Sequence, residues 1–254
     1  MHSLSKRIST FSQVPIKRSR VCSTVTSHKI VPKALPLPSY LVNTYTWAYL
    51  TPSSLLLDNA VVPNAILWGN MDKLVQSSVA EFKEGDRVLQ AANAYGHLGP
   101  TLAAKLGSKG FLDLIDIAEI QVQHATEKLS QFPQVRVRQA DAAHPGDEIY
   151  DAALCFFLLH EVPDDYKVSI VNALMDRVKP GGKVVFIDYH LPVIYHPLRP
   201  LMMMVFKFLE PYAVGLIRKE ILDFVSENNK PIFKWEKETF FGGLYQKVIA
   251  TKSE

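Results

Sequence analysis

Between Arg87 and Leu102 the chain reads Arg-Val-Leu-Gln-Ala-Ala-Asn-Ala-Tyr-Gly-His-Leu-Gly-Pro-Thr-Leu. A short apolar run stops at small residues and a glycine, then gives way to helical spacing at Leu98, Leu102 and Leu106. That pattern predicts strand, tight turn and helix. Such a turn lets a phosphate, ribose or carboxylate approach the backbone, and the helix N-terminus offers unpaired N–H groups there. A dinucleotide fingerprint would carry three glycines, whereas the matching places here hold Ala92, Ala94 and Gly96. A nucleotide cradle and an ordinary strand–helix turn are therefore both open at this point.

The rest of the chain extends the pattern. Strands are expected at Arg87–Gln90, Phe111–Ile117, Val135–Gln139, Tyr150–Leu158 and Lys183–Tyr189, with helices at Leu98–Leu106, Ile120–Phe132 and Asp164–Val178. Strands alternating with helices imply right-handed crossovers and a parallel sheet covered on both faces. The nearly unbroken apolar run from Ala152 to Leu159 suits a central strand. Phe233–Phe240, Gly242-Gly243 and Leu244–Thr251 read as a hairpin, so the sheet should end in an antiparallel strand. Before the sheet, residues 35–84 are aromatic-rich and broken by Pro52 and Pro63, which predicts short helices forming a cap. Packing on the core and a lid with rings for a flat apolar ligand are both compatible with Tyr45, Trp47, Tyr49 and Trp68.

Charge divides the chain unevenly. Residues 1–33 carry seven of the 28 Lys and Arg and no acid, the first acid being Asp58. The 21 that remain face 25 Asp and Glu, which argues against a nucleic-acid footprint. The leader is rich in Ser and Thr and can set Leu4, Ile8 and Phe11 on one helical face. Residues 1–34 thus read as a mitochondrial transit peptide and linker, or as a disordered basic tail. Loss of the leader would leave Cys155 as a lone cysteine, in keeping with a reducing matrix.

A mostly parallel seven-stranded sheet closed by a C-terminal hairpin resembles the α/β, Rossmann-like fold of class I S-adenosylmethionine-dependent methyltransferases. Particular positions carry the resemblance. Asp116 ends the second strand about twenty residues past the glycine turn, where a carboxylate can accept ribose hydroxyls. Asp141 follows the third strand, where this class places an acid near the adenine amine, and Lys179-Pro180-Gly181-Gly182 is the class's usual turn before the fifth strand. The resemblance implies a cofactor site at Gln90, Ala92, Tyr95, Gly96, Asp116, Ile117, Asp141 and Ala142.

Longer motifs carry the resemblance further. Ile66-Leu67-Trp68-Gly69-Asn70, Ala94-Tyr95-Gly96, residues 155–165 (Cys-Phe-Phe-Leu-Leu-His-Glu-Val-Pro-Asp-Asp), Asp188-Tyr189-His190 and residues 238–247 (Glu-Thr-Phe-Phe-Gly-Gly-Leu-Tyr-Gln-Lys) are similar to the methyltransferase-like rhodoquinone biosynthesis family. The similarity spans about residues 38 to 251. It implies conversion of ubiquinone to rhodoquinone, with a ring methoxy group replaced by an amino group from S-adenosylmethionine and with Mn2+ required. It also implies a mitochondrial, matrix-side protein resting on the inner-membrane surface. In an ordinary member of the fold the first strand ends in an acid that positions the methionine end of the cofactor. Gln90 stands in that place here.

For such chemistry the candidate catalytic residues are His160, Glu161 and Asp188, and the candidate metal ligands are these three with His190. They fall at the carboxyl ends of the fourth and fifth strands, where ligands of this fold class collect. Oxygen and imidazole donors suit manganese. A core or helix-capping histidine is the other reading of His160, and a surface charge that of Glu161. Residues 191–225 form an apolar insertion, too interrupted by Lys207, Glu210 and Pro211 to span a bilayer and suited to an interfacial helix or to a pocket wall. Two other functions stay open: methyl transfer to a quinone or polyprenyl phenol, and a non-catalytic cofactor-binding scaffold.

Overall fold

The computed structural model describes residues 35–53, 58–59 and 61–254. The expected leader at 1–34 lies outside the described residues. Short helical elements come first, among them α1 (Ser39–Thr44), a π-helical turn (Thr46–Leu50), α2 (Val62–Ile66) and α3 (Met71–Val79). Then β1 (Arg87–Ala91), α4 (Leu98–Leu106), β2 (Phe111–Asp116), α5 (Glu119–Lys128) and β3 (Val135–Gln139) alternate. They are followed by β4 (Tyr150–Phe156), a 3-10 turn (Leu159–Glu161), α6 (Asp164–Asp176) and β5 (Val178–Tyr189). The insertion supplies α7 (Arg199–Phe208) and α8 (Ala213–Ile217) before the hairpin of β6 (Phe233–Phe240) and β7 (Tyr245–Lys252).

The strands form one sheet in the order β3-β2-β1-β4-β5-β7-β6. The first five are parallel, and β7 pairs antiparallel with both β5 and β6. This is the class I methyltransferase fold. The period of two sends Val88, Leu154, Val185 and Ile187 to the face covered by α3 and α4. Leu89, Ala153, Cys155 and Phe186 go to the opposite face, which is covered by α6. On α4, Leu98, Leu102 and Leu106 are all fully buried, as their spacing predicts. The preceding segment divides in two by role. α3 buries Met71, Leu74, Val75 and Val79 in the main core, while α1 and the π-helical turn cover the carboxyl ends of the strands.

The start of β5 differs from the sequence expectation of Lys183. Lys179-Pro180-Gly181-Gly182 lies within β5 as an irregularity, since the register passes from Tyr150↔Val178 directly to Ala152↔Lys183. Glycine is required there: Gly181 has φ +73°, and a Cβ on Gly182 would stand 2.6 Å from the Asp151 carbonyl oxygen. At the other end β5 stops at Tyr189 as expected, and the His190 N–H still pairs with the Leu244 carbonyl at 2.8 Å as the chain leaves the sheet.

Candidate functional site

A cavity of about 240 Å³ opens at the carboxyl ends of β1, β2 and β4, roofed by Tyr45, Trp47 and Tyr49. Its position follows from topology. β1 lies between β2 and β4, its crossover runs to one side and that of β4 to the other, and a crevice forms between them.

The β1–α4 turn forms one wall. Ala92 sits in the left-handed region at φ +67°, a conformation glycine would hold without strain. Gln90 is fully buried beneath the turn and donates from Nε2 to the Ala92 carbonyl at 3.1 Å, while its Oε1 has no hydrogen-bond partner. Of the eight residues expected to bind cofactor, Ala92, Tyr95, Asp116, Ile117, Asp141 and Ala142 line the cavity, whereas Gln90 and Gly96 do not. Asp116 accepts the Asn93 and Ala118 N–H groups, both at 2.8 Å, and burial raises its carboxyl to about 6. Asp141 accepts the Tyr166 hydroxyl at 3.1 Å.

The roof is pinned to this wall by contacts between residues far apart in sequence. Tyr49 stacks on Tyr95 with ring centroids 5.7 Å apart, and the Tyr95 hydroxyl donates to the Ala48 carbonyl at 2.7 Å. Buried Gln121 of α5 donates to the Tyr49 carbonyl at 3.0 Å and to the Tyr95 hydroxyl at 2.9 Å. Asp58 accepts the Gly96 N–H, pairs with His124 and holds Lys128 Nζ at 2.8 Å. Gly96 is thus engaged by the roof rather than exposed to the cavity.

The opposite wall carries the titratable groups. Phe157 follows β4 at φ +52°, its N–H bonded to the Ile187 carbonyl at 2.7 Å. This turns the chain into the 3-10 element that presents His160 and Glu161. His160 Nδ1 donates to Asp188 Oδ1 at 2.9 Å, and its Nε2 stands 3.7 Å from Glu161. Burial alone would lower the His160 imidazole, but the Asp188 carboxylate outweighs it and raises the group to about 9. Burial raises Glu161 to about 8; His160 opposes the shift and Glu210 adds to it. The Tyr49 hydroxyl donates to Glu161, and Tyr45 donates to Glu210 at 2.7 Å.

The expected metal quartet does not assemble. Asp188 lies behind His160, its Oδ2 accepting the N–H groups of Leu159 and His160 and its Oδ1 that of Tyr189. His190 faces the hairpin, donating from Nδ1 to the Gly243 carbonyl at 2.9 Å and accepting Lys237 at Nε2. The cause is the end of β5 at Tyr189: a period of two cannot carry His190 to the side of Asp188 once the strand has stopped. Among the described residues no group of three or more His, Cys, Asp or Glu is arranged to hold a metal ion. The donors present do not fit the manganese that the resemblance implies.

Sequence reasoning missed Glu210 and Gln121 as site residues, and it offered Tyr45 and Tyr49 as lid rings without their acidic partners. Glu210 had a signal: it is the single acid between Tyr189 and Lys219. The pairing of the tyrosines with Glu161 and Glu210 had none, since these partners lie more than a hundred positions away.

Comparison with known proteins agrees with this architecture. Residues 88–182 match the family model described as a methyltransferase domain. The chain is 32% identical over 137 residues to a 2-phytyl-1,4-naphtoquinone methyltransferase of Synechococcus elongatus, covering 52% of this chain and 55% of that protein. It is 28% identical over 116 residues to a ubiquinone/menaquinone biosynthesis C-methyltransferase of Idiomarina loihiensis, covering 44% and 45%. The chain therefore spans about half the length of the curated relatives it matches. Among solved structures, human N-acetylserotonin methyltransferase in complex with its cofactor superposes with a TM-score of 0.56 at 15% identity, covering 86% of this chain and 61% of that one. Together the sheet order and the superposition show that this chain has the class I S-adenosylmethionine-dependent methyltransferase fold, with residues 88–182 similar to the methyltransferase-domain family.

Proposed function

We propose that the protein is an S-adenosylmethionine-dependent transferase acting on the ring of a quinone or its quinol, with methyl transfer as the reaction best supported. The observation that carries this reading is one cavity with two unlike walls: the β1–α4 turn with Asp116 on one side, and an aromatic pocket containing His160, Glu161 and Glu210 on the other. The similarity to quinone methyltransferases points the same way. The cofactor wall fits its ligand, because the Asp116 carboxylate at the end of β2 reaches a cavity wall where ribose hydroxyls can donate to it. When bound, the cofactor offers an electrophilic methyl on a sulfonium sulfur and an amine at its methionine end, and the candidate reactions differ in which of the two is transferred.

The chain's own residues supply the rest. Trp47, Phe157 and Tyr189 provide apolar faces for a flat ring, and the roof excludes water. Asp188 fixes the His160 tautomer and keeps the imidazolium charged at neutral pH, so Nε2 can donate to a ring oxygen on which negative charge develops. Glu161, when ionised, accepts the proton leaving a ring hydroxyl. The two groups make the rate rise with pH as Glu161 ionises near 8 and fall as His160 loses its proton near 9.

Amino transfer is the second reading, and Gln90 favours it. With a neutral amide buried beneath the β1–α4 turn where the fold usually has an acid, no carboxylate stands at that place to favour the charged form of a cofactor ammonium, and a nucleophilic amine must be uncharged. The test is incubation with a short-tailed quinone, oxidised and reduced, and cofactor labelled separately in its methyl carbon and its amine nitrogen. Labelled methyl in the product is the expected result. Labelled nitrogen with loss of methoxy would replace methyl transfer by amino transfer, and unchanged quinone with bound cofactor would leave only the scaffold.

A further inference from the structure

A buried amide on α5 reaches the reacting side of the cavity through the roof. Gln121 is 1% exposed and lines the cavity. Its Oε1 accepts the Asn93 side-chain N–H at 3.1 Å, and its Nε2 donates to the Tyr49 carbonyl at 3.0 Å and to the Tyr95 hydroxyl at 2.9 Å. A carbonyl only accepts, and the Tyr95 hydroxyl gives its own proton to the Ala48 carbonyl. Both therefore take a donor from Gln121, and the orientation of the amide is fixed. Through Asn93, whose N–H donates to Asp116, the same amide is braced against the cofactor wall.

Tyr49 passes this anchorage across the cavity. Its carbonyl is held by Gln121, its N–H donates to the Tyr45 carbonyl at 3.1 Å, and its ring stacks on Tyr95. With backbone and ring both held, its hydroxyl donates to Glu161 Oε1. His160 Nε2 stands 3.7 Å from that same oxygen. Both neighbours thus fall on Oε1, which leaves Oε2 as the oxygen that can take a proton from a ring. A base works only with a lone pair in reach of the proton it removes, so fixing which oxygen is occupied fixes the geometry of the transfer.

We propose that Gln121 is a positioning residue for the proton transfer: by holding the Tyr49 backbone it keeps the Tyr49 hydroxyl on Glu161 Oε1 and leaves Oε2 to accept the ring proton. The ring O–H bond breaks, its electron pair stays on the ring oxygen, and the proton passes to Oε2. The transfer rests on the reading of Glu161 as proton acceptor for a quinol; the aiming of Tyr49 by Gln121 does not.

Two variants of the full chain and their combination test it, with kcat and KM measured on a short-tailed quinol and the Kd of S-adenosylhomocysteine measured by calorimetry. Tyr49→Phe removes the hydroxyl alone, keeping the carbonyl that Gln121 holds and the ring that stacks on Tyr95. Its kcat should fall about tenfold or more, with KM and Kd within a few-fold of the wild type. Gln121→Met has a similar size and no donor; it should lower kcat comparably and raise Kd, since it also frees the roof. The combination separates positioning from packing. Once the hydroxyl is gone, Gln121→Met should cost no further kcat. Losses that multiply, or an unchanged kcat in Tyr49→Phe, would overturn the proposal. Crystal structures of the cofactor-free wild type and Gln121→Met give a readout that needs no turnover: the Tyr49 hydroxyl should sit on Oε1 in the first and leave it in the second. A hydroxyl absent from Oε1 in the wild type, or still there in the variant, would overturn the proposal as well. If the wild type turns over no quinol while the hydroxyl leaves Oε1 in the variant, the hold of Gln121 on Glu161 stands and the quinone reading alone falls.

Discussion

Ala92 holds a backbone conformation that costs an L-residue about 1 kcal/mol, at the point where the β1–α4 turn meets the cavity. Ala92→Gly removes that strain but adds chain entropy to the unfolded state, so the expected gain is small, about 0–1 kcal/mol, read as an unchanged or slightly higher Tm. Ala92→Val should lose roughly 2 kcal/mol or more, because a β-branched side chain tolerates this region worse still. Glu161 makes a larger prediction. Its native pKa of about 8 lies above the ordinary 4.5, so the folded state favours the protonated form. Stability is complete below about 4.5 and declines as the pH rises through about 8. Glu161→Gln removes the decline: denaturation at pH 9 should find the variant more stable than the wild type by on the order of 2 kcal/mol, and at pH 4 little different. The same variant should lose the ascending limb of the pH–rate profile with most of kcat. A loss of kcat with that limb intact would remove Glu161 from the proton path.

At the scale of elements, the roof closes the cavity through side chains that clamp a turn. Burial opposes ionisation of Asp58, but Lys128, His124 and the Gly96 N–H outweigh it and hold the carboxyl below its ordinary 3.8. Its contribution is therefore present above 3.8 and lost as the pH falls through the lowered native value. Asp58→Asn should loosen the roof by about 1–2 kcal/mol. Hydrogen exchange should quicken at residues 46–50 and at Gly96, and cofactor Kd should rise several-fold, with the sheet amides unchanged. Exchange that quickens uniformly would instead make Asp58 part of the global fold. This clamp marks where the sequence stopped being legible. Strand and helix periods exposed the sheet, its crossovers, its terminal hairpin and the strand ends bearing Asp116, Asp141, His160 and Asp188, because those signals are local. Which group His190 meets is decided by the pairing of β5 with β7, and which tyrosines cover Glu161 and Glu210 is decided by docking of distant segments. No local period encodes either.

Across the whole molecule, the insertion and the reaction wall are joined through one fully buried cation. Lys167 Nζ donates to the Val162 carbonyl at 2.7 Å, to Asp164 at 2.9 Å and to the Tyr212 carbonyl at 3.0 Å. Those contacts tie the turn after His160 and Glu161, the start of α6 and the entry to α8, while Glu210 lies two residues before Tyr212. All three of the ammonium's donors are used, which offsets the cost of burying its charge and makes the arrangement costly to disrupt. Lys167→Met keeps the stem but leaves the Val162 and Tyr212 carbonyls without their donor, and should cost about 2–4 kcal/mol. The damage should be lopsided. The β1–α4 turn and Asp116 make none of these contacts, so calorimetry should find cofactor affinity within a few-fold of the wild type while kcat drops well over tenfold. If affinity and turnover instead fell together, the two walls would be one cooperative unit and the insertion would support the cofactor as well as the ring.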